Sequence, residues 1–404
     1  MQQARKTLLV TLAVSLISVS GIALPYPILA PLFIELQHPL ASFAGLPPKL
    51  LLGISLAIYP LGILVGSNII GSWSDRIGRK KALAITMFGA VLGYLLSAFA
   101  VMQGSFVLFC LSRLLTGLCE GNLSIARAIA ADLHPTIDRT RAFSLLSATS
   151  YAGYLVGPLI GGFLLPMGAE LAFAVAALAC LISVVMIVVM LPADKPTASE
   201  GSSHSLSLIR LPTIKPFFYM YLALMLALNG FYEFYPVLQV EMLGFNSMQI
   251  AWSTVIITAS MIIAATLLVM PIKRRFGMAS TACLSMFVYA IALLCFTLLP
   301  QFYLVTFIVI GASIALFNAM LPSYLSELGS DGGGQGQLMG LMTTTFCIGN
   351  VAMAIIGSLL ALIDTRLALA GSALLGLIAT WQFYKHHYQR TLWREHISSQ
   401  ITEQ

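Results

Sequence analysis

The chain has 404 residues, 59% of them hydrophobic and 9% charged, with a mean hydropathy of +0.93. A soluble globular chain carries roughly 25% charged residues, so a soluble domain is excluded and a polytopic all-α membrane protein is expected. The formal net charge of +6 is accounted for by loops that face anionic lipid headgroups and requires no nucleic acid.

A helix needs about 20 mostly apolar residues to cross a bilayer. By that measure the first half holds spans at 7–34, 50–74, 82–103, 105–131, 142–166 and 169–191. The second half holds 216–239, 248–272, 279–299, 302–326, 336–362 and 366–386. Arg5 and Lys6 precede the first run, which is too long for the roughly 7–15-residue core of a cleavable signal. It reads as a first span with its N-terminus inside. Cys110, Cys119, Cys180, Cys283, Cys295 and Cys347 all fall in apolar runs without a CxxC pair and are expected as small buried residues.

Lysine and arginine test the topology independently, because they concentrate in cytoplasmic loops. With twelve spans, only Lys49 and Arg366 fall outside and Arg113 and Arg127 within a span; every other cation is cytoplasmic. A miscounted helix would scramble this asymmetry from that point onward. Residues 192–215, rich in Pro, Ser, Gly and charge, form the longest polar stretch. The expected organisation is a six-helix bundle over 1–191, a cytoplasmic linker over 192–215, and a second six-helix bundle over 216–404 with a short cytoplasmic tail.

Between the second and third spans stands GSWSDRIGRKK, residues 71–81. Gly71 permits close helix approach and Gly78 a tight turn, while Asp75 can pair with a cation or face a helix N-terminus. Gly71, Asp75, Arg76, Gly78, Arg79 and Lys80 match the loop signature of the major facilitator superfamily, which the whole chain also resembles in topology. The resemblance implies two repeated six-helix bundles and alternating access. It also implies a cytoplasmic latch in which Asp75 and Arg79 act with Asp132, at the end of the fourth span. MPIKRRFGM, between the eighth and ninth spans, keeps Lys273, Arg274, Arg275 and Gly277 of that pattern without its acid.

The fifth span contains GYLVGPLIGG, with Gly153, Gly157 and Gly161 every four residues, Gly162 beside them, and a bend expected at Pro158. Its physical reading is a groove for close helix packing. It also resembles the fifth-span motif of drug:proton antiporter branches of the family, although Ser144 replaces one upstream glycine; the resemblance favours export by antiport.

Ionisable residues inside a span usually face a cavity. Arg113, Glu120 and Arg127 are spaced by seven, which on a continuous helix places them on one face with Thr116 and Ser124, about 10.5 Å apart per step. Arg113 with Gly117 resembles the family's R-x-x-x-G pattern, in which the arginine supports proton transfer. Glu120 is a candidate proton carrier, the alternative being a structural ion pair. Glu233, in LNGFYEFYPVLQ, is a candidate for the proton or a cationic substrate, with Asn229, Tyr232 and Tyr235 around it. Its alternative is an acid exposed at the outer helix end. Glu241 is expected beyond the membrane and is discounted.

The first span carries Pro25, Tyr26, Pro27 and Pro31 and is expected to bend along a cavity; its first acid is Glu35, near its end. Many drug:proton antiporters carry an acid within that span, so weight shifts to Glu120 and Glu233. Asn122, Asn318 and Asn350, with Asn68, are buried-polar candidates better suited to joining helices.

No phosphate loop, HExxH or GxSxG occurs, and all six histidines fall outside the spans, so an enzyme is not expected. The expected protein is a monomeric secondary transporter of the bacterial inner membrane, both termini cytoplasmic. It uses no cofactor or metal and deals with a small-molecule substrate, protons and lipids. Proton-coupled efflux of amphipathic compounds is the first reading. Proton-coupled import of a metabolite or a metal–chelator (siderophore-like) complex is the second.

Overall fold

The computed structural model describes residues 2–35, 38–120, 122–133, 135–137, 139–192, 209, 211, 214–328 and 335–402. Nearly all of the expected linker falls outside these. The described residues form α-helices without strands, as an apolar chain must when lipid offers its backbone no hydrogen bonds.

In chain order the helices are α1 (Gln2–Ala23), α2 (Tyr26–Ile34), α3 (Pro48–Ile77), α4 (Arg79–Met102), α5 (Phe106–Leu118) and α6 (Asn122–Asp132). Next come α7 (Arg139–Leu164), α8 (Ala169–Met190), α9 (Lys215–Leu243), α10 (Ser247–Ile263) and α11 (Val269–Phe276). The last four are α12 (Met278–Leu298), α13 (Tyr303–Leu328), α14 (Gln335–Ile363) and α15 (Thr365–Thr402). Among the described residues, eleven segments are long and apolar enough to cross a membrane. The expected fourth span, 105–131, is divided instead into α5 and α6. The integral membrane fold expected from hydropathy is thus present, with one broken span.

Prolines and glycines explain the irregularities. Pro25 lacks an N–H, so the helical ladder of the first span stops at Leu24 and restarts when Ile28 and Leu29 bond the Pro25 carbonyl. A π turn over Ala264–Leu268 joins α10 to α11. Gly78, at φ +94°, turns α3 into α4 in one residue, and Gly277, at φ +78°, does the same between α11 and α12. The partial repeat at MPIKRRFGM therefore shares its turn geometry with the first-half loop. α15 runs past its expected end at 386, because no Gly or Pro after Gly376 interrupts it.

The chain packs as two compact units. One comprises Met1–Ser202, Glu233–Thr258 and Ala354–Thr365; the other comprises Ser203–Tyr232, Ala259–Met353 and Arg366–Gln404. In the first unit, glycines let helices meet backbone to backbone. On α7, a Cβ at Gly157 would overlap the Ser20 carbonyl of α1, and one at Gly161 the Leu24 carbonyl. Gly153 faces Val19, and Gly162, a quarter-turn away, faces Ala251 of α10. The fifth-span motif is thus a seat for α1, with Pro158 between its glycines. On α3 and α5, Gly62 and Gly117 face each other.

The second unit is packed by rings. Phe307 of α13 meets Phe231 at 5.5 Å and Phe296 at 4.8 Å between centroids, and the Tyr289 hydroxyl donates to the Ala227 carbonyl at 3.0 Å. All six cysteines are free thiols. Cys110, Cys180 and Cys347 are buried, but Cys295 is exposed, contrary to the expectation that all are buried, because its face of α12 is unpacked.

Candidate functional site

The first cluster is built where α5 ends. The Glu120 N–H bonds the Gly117 carbonyl, three residues back, so the ladder tightens and stops there. Glu120 lies in the gap before α6 and is buried. Ser18 of α1 donates a short hydrogen bond to Glu120 Oε1. One turn earlier on α5, the close approach of Gly62 and Gly117 brings α3 against α5. This places the Arg113 guanidinium over the Tyr59 ring, 4.3 Å from its centroid. Arg113 is only 4% exposed, and the buried Tyr59 and Tyr94 hydroxyls lie against Arg113 and Glu120, Tyr94 interacting with Arg113 and Tyr59 with Glu120. Arg113 and Glu120 feel each other electrostatically without forming an ion pair.

The break falls within the expected polar stripe, whose third member, Arg127, is nearer the cytoplasmic end and suited to joining the latch or snorkelling. Arg113 and Glu120 are both buried, but Arg127 is exposed. The 100° count per residue holds only along one continuous helix, and the interruption between α5 and α6 resets it. Asn122 is fully engaged: Oδ1 accepts from Thr86 Oγ1 at 2.5 Å, and Nδ2 points to Met87 Sδ at 3.1 Å. It joins α6 to α4.

The second cluster lies on α9. Glu233 is 4% exposed, and neither carboxyl oxygen has a hydrogen-bond donor. The alternative of an acid bathed in water at the helix end therefore fails. Its aromatic neighbours in sequence, Phe231, Phe234 and Tyr235, are buried, and Tyr232 is half-buried. Tyr235 shares a 2.5 Å hydrogen bond with Thr254 Oγ1. The Tyr232 hydroxyl reaches Met261 Sδ at 3.6 Å.

Asn229 and Asn350 pair across α9 and α14. Asn350 Nδ2 donates to Asn229 Oδ1 at 2.8 Å, and Asn229 Nδ2 donates to the Met225 carbonyl at 2.8 Å and the Phe346 carbonyl at 3.3 Å. Changing Asn350 to Leu is expected to lower stability by about 1–3 kcal/mol, because the buried Asn229 oxygen loses its donor. Changing both to Leu should recover part of that loss. Thermal unfolding of the purified variants in detergent checks this, and equal losses in the single and double variants would refute it.

Of the other candidates, Tyr26 is half-buried at the start of α2, and Asn318 on α13 is exposed. In the loop motif, Arg79 Nη1 lies 2.9 Å from Asp132 Oδ2, and Lys80 Nζ donates to the Leu191 carbonyl at 2.5 Å. Arg76 is exposed, while the side-chain surroundings of Gly71, Asp75 and Asn68 lie outside the described set.

Sequence reasoning passed over Ser18, Tyr59, Tyr94 and Glu241. A signal for Ser18 was present: Thr7, Thr11, Ser15 and Ser18 follow one another at helical spacing on α1, and all are buried. Thr11 and Ser15 bond back to carbonyls four residues earlier, at 2.8 Å each. Ser18 instead reaches across to Glu120.

Buried charges on broken and glycine-seated membrane helices define a polytopic membrane protein with intramembrane polar sites. Residues 8–332 match the family model described as Major Facilitator Superfamily, and the chain belongs to that family. It is 31% identical over 172 residues to "Tetracycline resistance protein, class E" of Escherichia coli, a match spanning 43% of this chain and 40% of that relative. It is 26% identical over 376 residues to "Multidrug resistance protein 1" of Bacillus subtilis (strain 168), spanning 91% of this chain and 92% of the relative. Among solved structures, a D-xylose–proton symporter superposes with a TM-score of 0.72 at 17% identity, covering 94% of this chain and 97% of the other, a likeness of fold. The chain thus spans less than half the length of the tetracycline-resistance relative cited here.

Proposed function

We propose that this protein exports small amphipathic organic compounds in exchange for protons. The halves 1–191 and 216–404, joined by the cytoplasmic linker 192–215, rock around a central site, and protonation shifts the populations of the two states. Glu120 and Glu233 are the proton or cation sites, and Arg113 tunes Glu120. Asp75 and Arg79, with Asp132, latch the cytoplasmic side. The protein works as a monomer in a bacterial inner membrane, with both termini cytoplasmic.

The observation that carries this reading is the Glu233 carboxyl, buried without a donor. Burying an ionised carboxyl unpaired costs several kcal/mol, and a bound proton or a cationic substrate removes that cost. One group that is stable with either but not with neither is what exchange requires. The named relatives, a tetracycline and a multidrug resistance protein, support export. The absence of an acid in the first span before Glu35 favours the second reading, a proton-coupled importer of a metabolite or metal–chelator complex.

Proteoliposomes loaded with a pH dye and carrying an imposed proton gradient test the proposal. Tetracycline and cationic dyes are expected to collapse the gradient only when the protein is present. A gradient untouched by the whole panel would sink the exporter reading.

A further inference from the structure

Lys49 is one of only two cations that the positive-inside asymmetry leaves on the outer side, so its placement there runs against the bias that orients the chain. It stands in the first turn of α3 and is fully used. Lys49 Nζ lies 2.7 Å from Glu241 Oε1, and donates to the Ala361 carbonyl at 2.7 Å and to Thr365 Oγ1 at 3.2 Å. Thr365, the first residue of α15, donates in turn to Glu241 Oε2 at 2.7 Å. Three ammonium hydrogens and two carboxylate oxygens thus close one loop that ties the ends of α9 and α14 to α3. One turn further along α3, a Cβ at Gly53 would overlap Ser358 Oγ and the Ala354 carbonyl, so α3 and α14 touch beneath the loop.

We propose that Lys49, Glu241 and Thr365 form a releasable outer clasp, which holds α9 and α14 on α3 and must open before substrate leaves on that side. The inference rests on the alternating-access reading and on the topology that places Lys49 outside. The side chains of Lys49 and Glu241 are 23% and 26% exposed, so water replaces their partners readily when they part. A pair this wet is weak alone; what makes it a clasp is that one cation satisfies three acceptors at once, at the ends of α9 and α14 and at the start of α15. Gly53 contributes close contact beneath it without any side chain that must be threaded free. The sequence reading discounted Glu241 because it looked at the helix end alone, without the cation that faces it.

The test uses the full-length chain with its six native cysteines changed to alanine and a reporter, Ser358→Cys. Ser358 is fully buried behind the clasp. A membrane-impermeant maleimide is added from outside. Lys49→Ala and Glu241→Gln are each expected to raise the labelling rate about fivefold or more. Thr365→Val, the mildest variant and the fallback if a charge variant fails to fold, is expected to raise it about twofold. The exchange Lys49→Glu with Glu241→Lys should bring the rate back towards the parent. Folded single variants that label as slowly as the parent overturn the clasp, as does labelling that rises only when reagent is added from the inner side. If the variants label faster but a proton gradient leaves the parent's rate unchanged, the clasp stands and the proton-coupled cycle falls. If the gradient shifts the parent and the variants match the parent, the cycle stands and the clasp falls.

Discussion

Glu233→Gln is expected to abolish substrate-driven proton movement, lowering its initial rate by roughly 100-fold or more. The magnitude follows from the several kcal/mol at stake in a buried carboxyl, with each 1.4 kcal/mol worth a factor of ten. Glutamine keeps the shape of the side chain but cannot exchange a proton or balance a cation. It also places an amide where no donor or acceptor awaits it, so thermal unfolding must accompany the transport assay. Glu233→Asp, which restores an acid on a shorter stem, should recover part of the coupling. Glu120→Gln is the natural comparison. Its amide oxygen can still accept from Ser18, so it removes the charge facing Arg113 while sparing the local packing. If both glutamine variants remain folded and still couple proton movement to substrate at the wild-type rate, neither carboxyl is the coupling site.

Gly157→Ala is expected to destabilise the protein by about 3 kcal/mol or more, and Gly157→Val to prevent accumulation of folded protein. The added Cβ would overlap the carbonyl of Ser20, with the Leu24 N at 3.1 Å, and because these are backbone atoms no far end of a side chain can swing aside. Gly153→Ala is the internal control. Its Cβ would meet the Val19 Cβ at 2.8 Å and the Leu16 carbonyl at 3.1 Å, a milder overlap than at Gly157, so a smaller loss is expected. Size-exclusion profiles and unfolding temperatures in detergent report the difference. Equal behaviour of the two alanine variants would show that the fifth-span glycines are not the seat of α1.

Most of the membrane fold was legible because hydropathy and the positive-inside bias are sums over many residues. Misplacing one boundary changes neither. Pro25 and Gly78 were legible too, because each acts through its own backbone: a missing N–H and a positive φ. The break beside Glu120 was harder to read. Its flanking residues are apolar enough for a continuous span, so nothing in the hydropathy marks where α5 stops and α6 begins. Arg113 and Glu120 were found because a charge inside lipid is rare whatever surrounds it.

By itself, the sequence determined that this chain lives in a membrane, where most of its apolar helices run, and which few ionisable residues lie inside them. Those properties are one-dimensional: transfer free energy and charge add along the chain. Only the tertiary structure decided that Ser18 serves Glu120, that Tyr59 covers Arg113, that Asn229 is taken by Asn350, and that Glu241 answers Lys49. Each of these pairings spans dozens to hundreds of residues. Hydrogen bonds and ion pairs depend on ångström distances between helices, and those distances are set by which glycines allow two backbones to meet.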